Sequence, residues 1–164
     1  MRYLSKAALA AIITICFALP PISANASDDK VILTIDGAIA GELPRDFTLE
    51  QLEALGMKTV ETKTPWHDGV VKFEGVPLAA LMAHVGASGE TAYVAALNNY
   101  GTEIPIADFA AHGVILASRK DGAAMPISEK GPLFVIYPFD AEPELNSELY
   151  YSRSAWQVRQ ITIE

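Results

Sequence analysis

The chain has 164 residues, 51% of them hydrophobic, and 20 acidic against 12 basic side chains give a formal charge of −8. An acidic chain of this length, without a basic stripe, speaks against nucleic acid and against anionic membrane surfaces as partners, and it is long enough to bury a core. Its one cysteine is Cys16, and no other residue can supply a thiol for a disulfide, a metal or a nucleophile.

The chain opens like a secretory signal. Arg2 and Lys6 form a positive start, Ala7 to Leu19 is apolar, Pro20 and Pro21 break the run, and Ala24-Asn25-Ala26 is an A-x-A cleavage site. The apolar run is too short for the roughly 20 residues that span a bilayer. The expectation is a cleaved signal peptide over 1–26, a single domain over 27–164 and a periplasmic location. Losing Arg2 and Lys6 lowers the charge to −10, and losing Cys16 leaves the exported part without a thiol.

Val31 to Asp36 is β-branched and apolar and stops at Gly37, as a first strand does. Thr48-x-x-Gln51 is a capping box, and Leu49, Leu52 and Leu55 predict the buried stripe of a helix ended by Gly56. Met57 to Lys63 returns as a strand. Thr64-Pro65-Trp66-His67-Asp68-Gly69 then has Pro to fix φ and Gly to accept a positive one, so the chain turns and displays Trp66, His67 and Asp68. Val70 to Glu74 alternates as a strand, and Gly75-Val76-Pro77-Leu78 predicts a turn into a short helix burying Leu78, Leu81 and Met82.

Thr91 to Leu97 reads as a strand too apolar to have a wet face, and it runs into Asn98-Asn99-Tyr100-Gly101. Thr102 to Ile106 carries Pro105, which suits an edge strand. Ala107 to His112 is a helical turn closed by Gly113, Val114 to Arg119 is a strand, and Lys120-Asp121-Gly122 signals a hairpin. Leu133 to Tyr137 is the most hydrophobic strand of the exported part. Pro138 to Asn146 reads as an irregular surface excursion. In the closing strand, Trp156 to Ile163, the apolar phase shifts, which calls for a bulge or a buried second face near Gln160. Seven or eight strands with two or three short helices, not alternating, make an α+β fold with a mixed β-sheet.

The segments TPWHDG, FEGVPLAALM, ALNNYG, ILASRKDG, GPLFVIYPFD and SRSAWQVRQITIE, in this order, resemble the molybdopterin-binding domain of the sulfite oxidase family, in particular its small exported bacterial members. The resemblance runs from about Val31 to the end. It implies a pocket for a tricyclic pterin, polar loops at the pyrophosphate end of molybdopterin, and a molybdenum-binding cysteine near Thr62, Lys63 or Thr64. These positions hold no cysteine, and a threonine hydroxyl is a poor substitute for a soft thiolate. No thiolate-ligated metal is therefore expected.

Seven residues are candidates for holding the ligand. Trp66 is either a stacking platform or a lid on the core. His67, beside Asp68, is a base or ligand, or half of a solvated turn pair; His84 and His112 have no partners at metal-ligand spacing. Asn98, Asn99 and Tyr100 can bond a pterin edge or cap their own turn. Arg119 and Arg153 suit an oxyanion, against ion pairs with some of the many carboxylates, and Ser152 and Ser154 flank Arg153. Arg45 and Arg159 read as surface charges and Trp156 as core. No G-x-S-x-G, G-x-G-x-x-G or P-loop is present, and no catalytic residue is assigned. The expected function is a binding or sensing module for a pterin-like or other small anionic ligand, serving a periplasmic or membrane redox or sensor protein. The alternative is a molybdopterin-dependent oxidoreductase with an atypical metal site.

Overall fold

A computed structural model describes residues 30–164, and the expected signal segment lies outside the described residues. The strands in chain order are β1 (Val31–Gly37), β2 (Arg45–Thr48), β3 (Lys58–Lys63), β4 (Val70–Pro77), β5 (Thr91–Ala96), β6 (Gly101–Pro105), β7 (Ile115–Lys120), β8 (Ala123–Ala124), β9 (Phe134–Ile136) and β10 (Val158–Ile163). Four short helices interrupt them: α1 (Leu49–Glu53), α2 (Leu78–Val85), α3 (Ile106–Ala111) and α4 (Glu148–Arg153). The strands form two sheets, β2-β1-β10-β5-β6 and β3-β4-β7-β8, with β9 also paired to β7. Among the described strands only β1 and β10 run parallel, and the class is α+β.

The local rules act as expected at several points. Thr48 caps α1 in a complete capping box with Gln51, β6 is an edge strand, and Lys120 pairs with Ala123 in the β7–β8 hairpin. The register of β10 slips between Val158 and Gln160. That bulge lets Val158, Ile161 and Ile163 all enter the core.

Four expectations need correction. Gly75-Val76-Pro77 is not a turn: β4 continues through it and passes directly into α2. In β5, Ala92, Val94 and Ala96 are buried while Tyr93 faces out, so the strand has a wet face although it is interior to its sheet. Of the α1 stripe only Leu52 is buried. The Pro138 to Asn146 excursion is anchored, with Phe139 and Leu145 fully buried.

The buried apolar residues form two clusters: the larger takes side chains from both sheets, Leu33, Val94 and Ile161 from one and Val76, Leu116 and Val135 from the other, while the smaller, around Phe73, Ile115 and Phe134, belongs to the second sheet alone. Backbone bonds also join the sheets where the chain approaches β10. Val135 donates to the Ala155 carbonyl at 2.9 Å and Val158 to that of Leu133 at 3.0 Å, and Phe134 bridges Trp156. Trp66 packs against both clusters.

Candidate functional site: an aromatic groove at the seam

The loop between β3 and β4 is built on Thr64. Its hydroxyl accepts from the Trp66 backbone N–H at 3.3 Å and shares a 2.7 Å hydrogen bond with His67 Nδ1. This places Trp66 on the seam, with ring centres 5.6 Å from Phe134, 5.4 Å from Trp156 and 6.1 Å from Tyr151. Edge-to-face pairs at such distances are favourable beyond the area they bury, which fixes the rings as a wall.

The opposite side comes from the β5–β6 turn and α4. Asn98 Oδ1 accepts from the Tyr100 N–H at 3.0 Å, and the Tyr100 hydroxyl donates to the Ser152 carbonyl at 2.7 Å, tying the turn to α4. Between these walls lies a mainly apolar groove of about 270 Å³, lined by Trp66, Asn98, Tyr100, Tyr151, Ser154 and Trp156. The Lys130 ammonium lies 4.1 Å from the centre of the Trp156 ring. A slot of this kind accepts a flat ring by stacking, with an amide and hydroxyl at its rim.

Trp66, Asn98 and Tyr100 thus come together, while Asn99, at φ 65°, turns to the other side of Tyr100. His67 stands beneath the loop, edge-on to Phe73 at 5.6 Å. Its hydrogen-bond partner is Thr64, not Asp68. Burial, reinforced by Lys120 and Lys130, holds its pKa below the ordinary value.

Neither arginine lines the groove. Arg119 grips Glu53 through Nε and Nη2, both at 2.8 Å, and Ser118 adds a third bond at 2.9 Å. Arg119 is the main cause that holds the Glu53 carboxyl below its usual range, against burial. Arg153 meets Asp108 at 2.8 Å, and the Tyr137 hydroxyl donates to the same oxygen at 3.0 Å. Burial, aided by Asp108, pushes the Tyr137 phenol upward. The Ser152 and Ser154 hydroxyls bond the α4 carbonyls of Leu149 and Tyr150, so no phosphate nest forms around Arg153. The carboxylates that capture both arginines are distant in sequence, and proximity along the chain gives no sign of them.

Sequence reasoning missed Tyr151 and took Trp156 for core. The available signal was the Tyr150-Tyr151 pair just ahead of the terminal strand. Tyr150 turns inward to Tyr137, at 5.3 Å between ring centres, and Tyr151 toward Trp66.

The positions that the resemblance assigns to a metal-binding thiolate are threonines with engaged hydroxyls. Thr62 is fully buried, accepts from the Asp140 N–H at 3.0 Å and donates to the Lys63 carbonyl at 3.2 Å. Thr64 serves Trp66 and His67. Among the described residues no cluster of three or more His, Cys, Asp or Glu could hold a metal ion.

Residues 20–140 match the family model of the oxidoreductase molybdopterin binding domain. Among solved structures the chain is similar to the sulfane dehydrogenase SoxCD from Paracoccus pantotrophus, with a TM-score of 0.58 and 20% identity over 80% of this chain and 37% of that one. The chain thus spans little more than a third of that protein's length, and at this identity the likeness concerns the fold. No curated protein matches the chain.

Proposed function

We propose that the chain, which belongs to the oxidoreductase molybdopterin binding domain family, works as a binding or sensing module for a flat pterin-like ring, without thiolate-bound molybdenum. The observation that carries this reading is the aromatic groove between Trp66, Tyr151 and Trp156, next to threonine hydroxyls already engaged by Asp140, Lys63, Trp66 and His67. A neutral, hydrogen-bonded hydroxyl does not replace a soft thiolate. The donors therefore suit the organic ring better than the metal. At about 270 Å³ the groove accepts a ring system and leaves a charged tail outside, since neither Arg119 nor Arg153 lines it and both are bound to carboxylates. With the A-x-A leader, the protein works in the periplasm and hands or reports its ligand to a redox or sensor protein there or in the membrane.

The test is to purify the exported protein from a molybdenum-replete host, measure molybdenum by elemental analysis, and measure pterin by fluorescence after acid release. Pterin without stoichiometric metal is the expected result. Pterin with metal establishes the alternative, an oxidoreductase with an atypical site. Absence of both, with no quenching of tryptophan fluorescence by added free pterin, overturns binding at the groove.

A further inference from the structure

On the far side of Tyr100 from the aromatic groove, the outer face of the β5–β10 pair carries a second, polar pocket of about 240 Å³. Its central group is Arg159, which sits in the β10 bulge, where the register slips between Val158 and Gln160. A bulge re-aims the side chain it contains, and here it turns a guanidinium onto the solvent face of the sheet. Arg159 Nε reaches the Ala96 carbonyl at 3.4 Å. Unlike Arg119 and Arg153, Arg159 makes no ion pair among the described residues.

The surrounding groups are hydroxyls and amides, which can donate as well as accept. Tyr93, Asn99, Gln160 and Thr162 line the pocket with Arg159. Gly101 makes room for the tyrosine, since a Cβ there would lie 2.1 Å from the Tyr93 hydroxyl oxygen. Two acids stand nearby: Asp36 pairs with Thr162 in the strand register and accepts from Gln160 Nε2 at 2.9 Å, and the exposed Glu103 pairs with Tyr93. One cation beside two carboxylates does not suit a dianion, because its second negative charge would be repelled by Asp36 and Glu103.

We infer that this pocket is a binding site for a small organic monocarboxylate, gripped by the Arg159 fork, with the Tyr93 hydroxyl and the Asn99 amide bonding a neighbouring oxygen of the ligand. A planar guanidinium matches a planar carboxylate through two parallel hydrogen bonds. The inference does not depend on what fills the aromatic groove.

Sodium lactate is the probe, titrated by calorimetry into the wild-type protein and into Arg159→Gln, with thermal unfolding as the check on fold. Arg159 is exposed, so the variant folds. Saturable single-site binding is expected, weakened roughly tenfold or more in the variant, the size of a lost bond to a charged group. Quenching of tryptophan by free pterin stays unchanged in Arg159→Gln, which separates this site from the groove. Absence of saturable lactate binding to the wild type, equal binding by the variant, or tighter binding of inorganic phosphate dianion than of lactate overturns the proposal.

Discussion

Arg119 and Arg153 carry the same guanidinium and differ in what surrounds it. The Arg153–Asp108 pair is about one-sixth exposed, at 17% and 14% for the two side chains, whereas Arg119 is 37% exposed. Removing one partner of a largely buried pair leaves an uncompensated charge, so Arg153→Ala should cost roughly 3–5 kcal/mol in urea unfolding. Arg119→Ala, screened by water, should cost about 1 kcal/mol. Neither should change pterin binding at the groove. His67 supplies the pH dependence. Burial first, then Lys120 and Lys130, lower its pKa from 6.5, so between the folded value and 6.5 the native state binds fewer protons than the unfolded chain. Stability therefore rises with pH through that window and is complete above about 6.5. Urea titrations at a series of pH values should show the wild type losing stability relative to His67→Gln as pH falls below that point. At this scale the sequence revealed side chains that act locally, such as the Thr48 and Gln51 cap. It could not reveal the partners of Arg119 and Arg153, which depend on how α1 and α3 pack.

Gly75 shows why one element was misread. In a sequence, Gly followed two positions later by Pro signals a turn, yet the glycine is there because β4 and β7 approach closely at the β4 bulge. A Cβ at position 75 would lie 2.1 Å from the Leu116 carbonyl oxygen and 2.4 Å from the Ala117 Cα, both rigid backbone. Gly75→Ala should therefore push the strands apart at a cost of roughly 1–3 kcal/mol, seen as a lowered thermal midpoint with little loss of far-ultraviolet ellipticity. The same distinction governs the rest of the fold. The β10 bulge and the β6 edge were legible because phase and Pro105 report them directly. The helix α4 was not, since none of its residues is fully buried. It has no apolar stripe to read, and it is held by half-buried Tyr150 and Tyr151 packed against the larger core cluster.

Across the whole molecule the groove and the joint between the sheets are one structure. The larger apolar cluster draws on both sheets and the smaller on one, and Trp66 packs against both clusters, reaching Phe134 and Trp156 on one side and Tyr151 on the other. The choice left open in the sequence, ligand platform or core lid, is therefore no choice: the indole closes the core with one part of its surface and lines the groove with the rest. Two consequences follow for unfolding. Far-ultraviolet circular dichroism and tryptophan fluorescence should trace the same single transition in the wild type, because neither sheet can open without exposing the cluster that both build. Trp66→Ala should lower stability by up to about 3–5 kcal/mol. The two probes should stay coincident, since Val76, Leu116 and Val135 of one sheet still pack in a single cluster with Leu33, Val94 and Ile161 of the other. Trp66→Phe, which retains an apolar ring at the joint, should keep the probes together while weakening pterin quenching. Separate transitions in Trp66→Ala would instead place the coupling of the sheets in the indole and not in the shared cluster.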